Sequence, residues 1–270
     1  MTAPPPDLLA AIVAATRRDL ANRQAELSFA ALDARAAAAP PPDGPAFIAR
    51  LGRPDTVNII AECKRRSPSR GLLSPRYSPA DQARAYERGG AAAISVLTEP
   101  SFFDGALAHL SAVRAAVAVP LLRKDFVVDE YQLLEAVTAG ADAVLLIVSA
   151  LAPADLVRLH AAASARGLAV LVEVHNEAEL EVALGAGATI VGVNNRNLRT
   201  LEVDTLVSER LAARMPREVI GVSESGLGGA GEVARLQALG YRAFLVGERL
   251  MTSADPAREL RALTGADVPV

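Results

Sequence analysis

From Val57 onward the chain is divided by short, almost continuously apolar runs at 57–61, 92–97, 118–122, 142–148, 168–172, 189–193, 218–222 and 243–246. They follow one another at about 20 to 35 residues, the length of a strand plus a crossover helix. Runs that are apolar throughout, instead of alternating, are what parallel strands covered on both faces require. The segments "ERGGAAAISV", "VTAGADAVLL", "LGAGATIVGV" and "QALGYRAFLV" each end a helical pattern at glycine and enter the next run within a few residues. Their glycines recur about every fifty residues, roughly two βα units. Glycine suits the left-handed cap that turns a helix back toward the sheet. Strand count, spacing and echo together predict the α/β class and a closed (β/α)8 TIM barrel, in preference to an open doubly wound sheet.

A chain of 270 residues with 51% hydrophobic content can bury the core of one such domain. Before the barrel, residues 7–22 place Leu8, Leu9, Ile12, Val13 and Leu20 on one helical face, with Asp7 as N-cap. "AAAAPPPDGP" (Ala36 to Pro45) breaks regular structure and reads as a linker, and "AFIARL" adds a helical turn or two. The expected division is therefore a helical extension and linker over 1–47, packed on a catalytic barrel over 48–270, as one domain overall.

Several function classes drop out. A net charge of −3 and a pI of about 5.7 leave no basic footprint for nucleic acid. The apolar runs are too short to span a bilayer, and the opening MTAPPPD lacks a basic segment followed by an apolar one, so a cytoplasmic protein is expected. One cysteine excludes an internal disulfide framework, and Cys63 reads as a small buried hydrophobe. His109, His160 and His175 follow no ligand spacing, and no glycine fingerprint for a dinucleotide follows a strand. No metal or cofactor is called for. His109 and His160 read as helix-surface or packing residues, and His175, just past Glu173, as a possible neighbour of the site.

In a barrel of this kind the active site lies at the C-terminal mouth, and polar residues close most of the runs there. The first ends in Glu62 and Lys64, the third in Arg123 and Lys124, the fifth in Glu173, the sixth in Asn194 and Arg196, and the seventh in Glu224 and Ser225. Of the 28 cationic residues, Lys64 and Lys124 are the only lysines. Arginine stays charged at any working pH, whereas a lysine can exchange its proton. A chain that uses arginine everywhere else keeps lysine where proton transfer or a compact ammonium is needed. Glu62, Glu173 and Glu224 could hold the lysines charged and supply the opposite partner of an acid–base pair. The glycine-rich "SESGLGGAGE" after the seventh run and "VGERL" after the eighth fit the usual phosphate site of such barrels. There the N–H groups of Gly226, Leu227, Gly247 and Glu248 could face a phosphate, provided the Glu248 carboxylate turns away.

The motifs "IIAECKRRSPSRG", "SVLTEPSFFDG", "LLRKDFVVDEYQLLEAVTAGADAVLLI", "LVEVHNEAEL", "VGVNNRNLRTLEVD", "SESG" and "FLVGERLM" occur in the order found in indole-3-glycerol phosphate synthase, and the chain resembles that family over most of its length. The resemblance implies closure of the indole ring of 1-(2-carboxyphenylamino)-1-deoxyribulose 5-phosphate, with loss of CO2 and water, in tryptophan biosynthesis. It implies Lys124 as general acid at the ketone oxygen, Lys64 near the anthranilate carboxylate and in dehydration, and Glu173 as the carboxylate that helps lose the hydroxyl. Glu62 and Asn194 would support them, with Arg196 and Glu224 beside the substrate. Ser67, Ser225, Gly226, Gly247 and Glu248 would hold the phosphate, Leu245 in the last strand would also bind the substrate, and Phe126, with Phe102 or Phe103, would pack the aromatic ring. The partner is a small phosphorylated molecule, and the chain is expected to be a monomer or a weak homo-oligomer. "PSFFDG", Arg249 and the Ala/Pro-rich linker are local departures from the family's pattern. A Schiff-base aldolase, which borohydride would trap on one of the lysines, and a non-catalytic phosphate-binding sensor are the rival readings.

Overall fold

The structure is a computed structural model that describes residues 7–265; the ends of the expected extension and barrel, 1–6 and 266–270, lie outside the described residues. Eight parallel strands close into a barrel: β1 (Asn58–Cys63), β2 (Ala93–Leu97), β3 (Leu121–Lys124), β4 (Ala143–Ile147), β5 (Ala169–Val174), β6 (Ile190–Asn194), β7 (Ile220–Glu224) and β8 (Ala243–Val246). Each pairs with its neighbours in sequence, and β8 returns to β1 with Ile60 opposite Leu245. The echoed glycines Gly90, Gly140, Gly187 and Gly240 have φ of 85°, 85°, 86° and 106°, the left-handed turn from helix to strand that a side chain would strain.

Five strands, the first, third, fifth, sixth and seventh, run past the ends of their apolar runs in a way that matters for the site. Pro120 has no N–H to give to a ladder, so the third strand starts after it and extends through Arg123 and Lys124. The fifth strand likewise continues through Glu173. The polar residues expected to follow the strands are largely their last members, so strand alternation fixes which way each one points.

One apolar cluster fills the barrel interior, with Ile60, Leu122, Leu145, Leu171, Ile190, Val222 and Leu245 on the inner face. A second, larger cluster lies between the sheet and its surrounding helices and includes Cys63, fully buried as expected. The inner column is closed at both ends by the N-terminal segment. Helix α1 (Leu8–Glu26) is capped by the Asp7 side chain, which accepts from Ala10 N, and it adds Leu9 and Ile12 at the mouth. Helix α2 (Phe29–Ala38) follows, capped by Ser28. Helix α3 (Gly44–Leu51) then drives Phe47 and Leu51, both fully buried, into the same cluster near Ala93, Ala169 and Ile220 at the N-terminal end of the barrel. The expected linker is therefore shorter than Ala36 to Pro45, because Ala36–Ala38 end α2 and Gly44 and Pro45 begin α3. Alanine has the highest helix propensity and proline is accommodated in a first helical turn, so the prolines at 40–42 alone interrupt the chain.

Candidate active site

At the C-terminal mouth a cavity of about 520 Å³ is lined by the ends of all eight strands and by loops that follow them. The strand register brings the acids together. Glu173 of β5 pairs with Gly192 of β6, and Asn194, two residues further along β6, pairs with Glu224 of β7. Both Gly192 and Gly247 stand where a Cβ atom would overlap a carboxylate, Glu224 in the first case and Glu62 in the second. Glycine at these two positions makes space for two of the three acids. Sequence reasoning gave neither residue this task, because the crowding is between positions far apart in the chain.

Lys124 projects from β3 into this group, with Nζ 3.2 Å from Glu173 Oε2 and 3.5 Å from Glu224 Oε2. Lys64 is ion-paired to Glu62 on β1. Asn194 Nδ2 donates to Glu173 Oε1 at 3.0 Å, and its own Oδ1 accepts from Arg196 N at 3.0 Å. His175 sits behind Glu173, with Nε2 3.4 Å from Glu173 Oε1 and Nδ1 3.0 Å from Glu179 Oε2. Thus one lysine, one histidine and one amide converge on a single buried carboxylate.

These contacts separate the proton affinities of like groups. Burial alone would raise the Glu173 carboxyl, but the Lys124 ammonium, with His175 and Asn194, outweighs it and holds Glu173 well below the usual carboxylate range. Glu62 is lowered for the same reason, with Lys64 and then Lys124 overcoming burial. Glu224 goes the other way. Burial, reinforced by the charges of Glu173 and Glu62, outweighs Lys124 and pushes it up to about 8. Burial would strip the proton from Lys124, yet Glu173, Glu224 and Glu62 hold it firmly, well above the ordinary lysine value. His175 is pushed up to about 10, because the adjacent Glu173 and Glu179 carboxylates outweigh the effect of burial. At neutral pH the cluster holds ionised Glu62 and Glu173, neutral Glu224, and charged Lys124 and His175.

The remaining expected residues line the same cavity: Arg196, Phe126, Ser67, Ser225, Gly226, Leu245, Gly247 and Glu248. The Phe103 ring lies 6.2 Å from the Phe126 ring, tilted by 36°, and these two with Leu8 and Ile12 of α1 form an apolar wall. At the opposite end, Ser225 and Gly226 line the cavity with positive φ, 64° and 75°. Buried Asn195 holds that segment by donating to Ser225 O at 3.1 Å. Glu248 turns its carboxylate to Arg70, 2.9 Å from Nε.

Arg123 does not join the mouth. Adjacent to Lys124 in a strand, it points to the opposite face, where it is 1% exposed. It donates to Asp125 Oδ2 at 2.8 Å, Glu135 Oε2 at 3.1 Å, Gln132 O at 2.6 Å and Thr98 Oγ1 at 3.2 Å. Asp125 then accepts from Phe126 N at 2.8 Å, so the buried arginine orders the backbone that carries one wall of the cavity. Sequence reading did not single out Arg70, Asp125, Leu8 or Ile12 as cavity residues. The spacing of Leu8 and Ile12 signalled burial, but not the surface they cover. His109 stacks edge-on against Tyr77, 5.4 Å between ring centres, and His160 lies in the helix Pro153–Ala165, so neither reaches the cavity. Among the described residues no group of His, Cys, Asp and Glu has metal-binding geometry.

The sequence model of one family, indole-3-glycerol phosphate synthase, matches residues 9–263. Indole-3-glycerol phosphate synthase 2 of Streptomyces coelicolor is 49% identical over 258 residues, 96% of this chain and 99% of its own. The indole-3-glycerol phosphate synthase of a Nocardioides species is 51% identical over 256 residues, 95% of this chain and 97% of its own. Among solved structures, thiamine phosphate pyrophosphorylase from Pyrococcus furiosus overlaps 80% of this chain and 95% of its own with a TM-score of 0.59 at 16% identity, a likeness of fold alone.

Proposed function

Because the chain belongs to the indole-3-glycerol phosphate synthase family, we propose that the mouth cavity is where it closes the indole ring of 1-(2-carboxyphenylamino)-1-deoxyribulose 5-phosphate. The enzyme is a carbon–carbon lyase of tryptophan biosynthesis that releases CO2 and water. The observation that carries the assignment is the meeting of both lysines with three buried glutamates in one cavity.

The substrate places its phosphate at Ser67, Ser225–Gly226 and Gly247–Glu248, and its aromatic ring against Phe126 and Phe103. This orientation brings the ketone to Lys124. The ring carbon that bears the carboxylate attacks the ketone carbon, and Lys124 gives its proton to the oxygen as negative charge develops there. A strongly held ammonium is a poor acid toward water but a suitable one toward an alkoxide, whose own proton affinity is high. The carbon–carboxylate bond then breaks, its electrons restore the aromatic ring, and CO2 leaves. Lys64 binds the carboxylate before this step and afterwards protonates the departing hydroxyl. Once Lys124 is neutral, the main influence lowering Glu173 is gone, so its basicity rises toward the ordinary range as a base is required. Glu173 then takes the proton lost from the carbon next to nitrogen, which completes the indole double bond. Asn194 keeps that carboxylate aimed, Glu62 fixes Lys64, and Arg196 and Glu224 border the reacting atoms.

The reading extends to a cytoplasmic enzyme working as a monomer or weak homo-oligomer. Among the described residues no helix is long and apolar enough to cross a membrane. Incubation with the carboxyphenylamino-ribulose phosphate, followed by indole fluorescence and CO2 release, tests the reaction. Lys124→Arg keeps the charge but removes a usable acid, and kcat should fall about 10²–10⁴-fold with KM within about tenfold. Turnover near that of the native enzyme would remove Lys124 from the acid role.

A further inference from the structure

The phosphate end of the cavity contains a carboxylate, Glu248, that a phosphate dianion should repel. Its oxygen lies 2.9 Å from Arg70 Nε, across from the loop that follows β1. Three other arginines of this rim are already engaged within the protein. Arg249 donates to Gly228 O and is paired with Glu259, Arg196 donates to Leu201 O at 2.9 Å, and Arg65 pairs with Asp104 at 3.0 Å. Among the described residues the Arg70 guanidinium has Glu248 as its single partner. The Arg70 backbone is nevertheless fixed next to the cradle, because its N–H donates to Ser67 Oγ at 3.2 Å.

We propose that Arg70 is a phosphate-binding residue held in reserve by Glu248, and that an arriving phosphate exchanges places with the Glu248 carboxylate. The inference rests on the reading of the cavity given above. Its physical basis is the difference between the two pairings. The Arg70 side chain is 67% exposed and that of Glu248 34%, so their ion pair is screened by water and contributes little. A phosphate carries about twice the charge of a carboxylate at neutral pH and accepts from two guanidinium N–H groups at once. The exchange therefore favours phosphate, and Glu248 turns out to solvent, where its charge costs least. Until then the pair neutralises a carboxylate that would otherwise repel the ligand and holds the arginine close to its place of use.

The two residues act in opposite directions on anion binding, and this separates exchange from a simple tether between loops. Inorganic phosphate titrated calorimetrically into the native chain, Arg70→Ala and Glu248→Gln gives the binding constants without any need for turnover. Circular dichroism and a thermal melt on each variant check that it is folded. Arg70→Ala should weaken phosphate about tenfold, and Glu248→Gln, which frees the guanidinium and removes the repelling charge, should tighten it several-fold. Unchanged affinity in Arg70→Ala overturns the proposal. So does a Glu248→Gln variant that binds no more tightly than the native chain, because the pair would then only hold two loops together. The fluorescence assay runs alongside: absence of product from the native chain sinks the assigned reaction, while the titration alone decides the role of Arg70.

Discussion

Glu224 shows what placement does to a single residue. Its Oε1 is buried without a hydrogen-bond partner among the described residues, fitted into the space left by Gly192. Its carboxyl is pushed up to about 8 from a usual 4.5 by burial and by the neighbouring acids. Folding therefore binds a proton at this group between those two values. Its contribution to stability is complete below about 4.5 and is lost as the pH rises through 8. Glu224→Gln copies the protonated form and removes this dependence, so the native chain should lose stability relative to the variant from pH 5.5 to 8.5. Urea midpoints at the two pH values check it, and parallel behaviour would mean that Glu224 is ionised in the folded protein throughout. Lys124 and Arg123 show how far one residue is legible in sequence. Their types distinguish them, since a buried arginine cannot surrender its proton and a lysine can. Yet the apolar run places both at the mouth, because it stops before them. Once Pro120 is seen to delay the strand, period-two geometry sends the neighbours to opposite faces. Arg70 and Asp125 carried no such signal: only the loop and strand geometry around them reveals what they touch.

At the scale of elements, the same arginine ties the N-terminal helix to the barrel. Arg23 of α1 pairs with Glu135, and Glu135 with Arg123 at 3.1 Å, so one carboxylate joins a half-exposed cation to a fully buried one. Removing a partner from a buried pair leaves the other charge uncompensated, whereas an exposed pair is worth little. Glu135→Ala should therefore cost about 3–5 kcal/mol of unfolding free energy and Arg23→Ala about 1 kcal/mol or less, read from denaturant melts. Equal losses would show that Asp125 alone satisfies Arg123. This link also explains why the strands were easier to read than the extension. A barrel strand is covered on both faces and must be apolar throughout, so each of the eight announces itself. Helix α2 buries only Leu32, and its Ala-rich sequence has no stripe to mark it. The alanines favour a helix, but against the prolines that follow they resembled a linker. The path of α1 over the mouth is set by contacts such as Arg23–Glu135, more than a hundred residues apart, and no local pattern contains them.

For the whole molecule, the sum of charges and their arrangement point in opposite directions, and the substrate can tell them apart. The chain carries a net −3, and a substrate with one phosphate and one carboxylate is itself strongly negative, so two compact charges would repel each other. The basic residues, however, are unevenly placed. Lys64, Arg65, Arg66 and Arg70 follow β1, Arg196 and Arg199 follow β6, and Arg249 follows β8, all at the mouth. Five of them face an acid, Lys64 with Glu62, Arg65 with Asp104, Arg70 with Glu248, Arg199 with Asp7 and Arg249 with Glu259, which leaves Arg66 and Arg196 as cations without a carboxylate partner among the described residues. A field concentrated at a low-dielectric cleft acts on an approaching ligand more strongly than the distant charges of the opposite face, which lie beyond a Debye length of about 8–10 Å at physiological salt. The expected outcome is a kcat/KM that falls, by roughly threefold or more, as ionic strength rises from about 0.02 to 0.2 M, with kcat nearly constant. Were the net charge in control, salt would relieve a repulsion and kcat/KM would rise instead. The sign of the slope, measured at fixed pH with a neutral viscosity control, decides between local arrangement and overall charge as the force that guides substrate to the barrel.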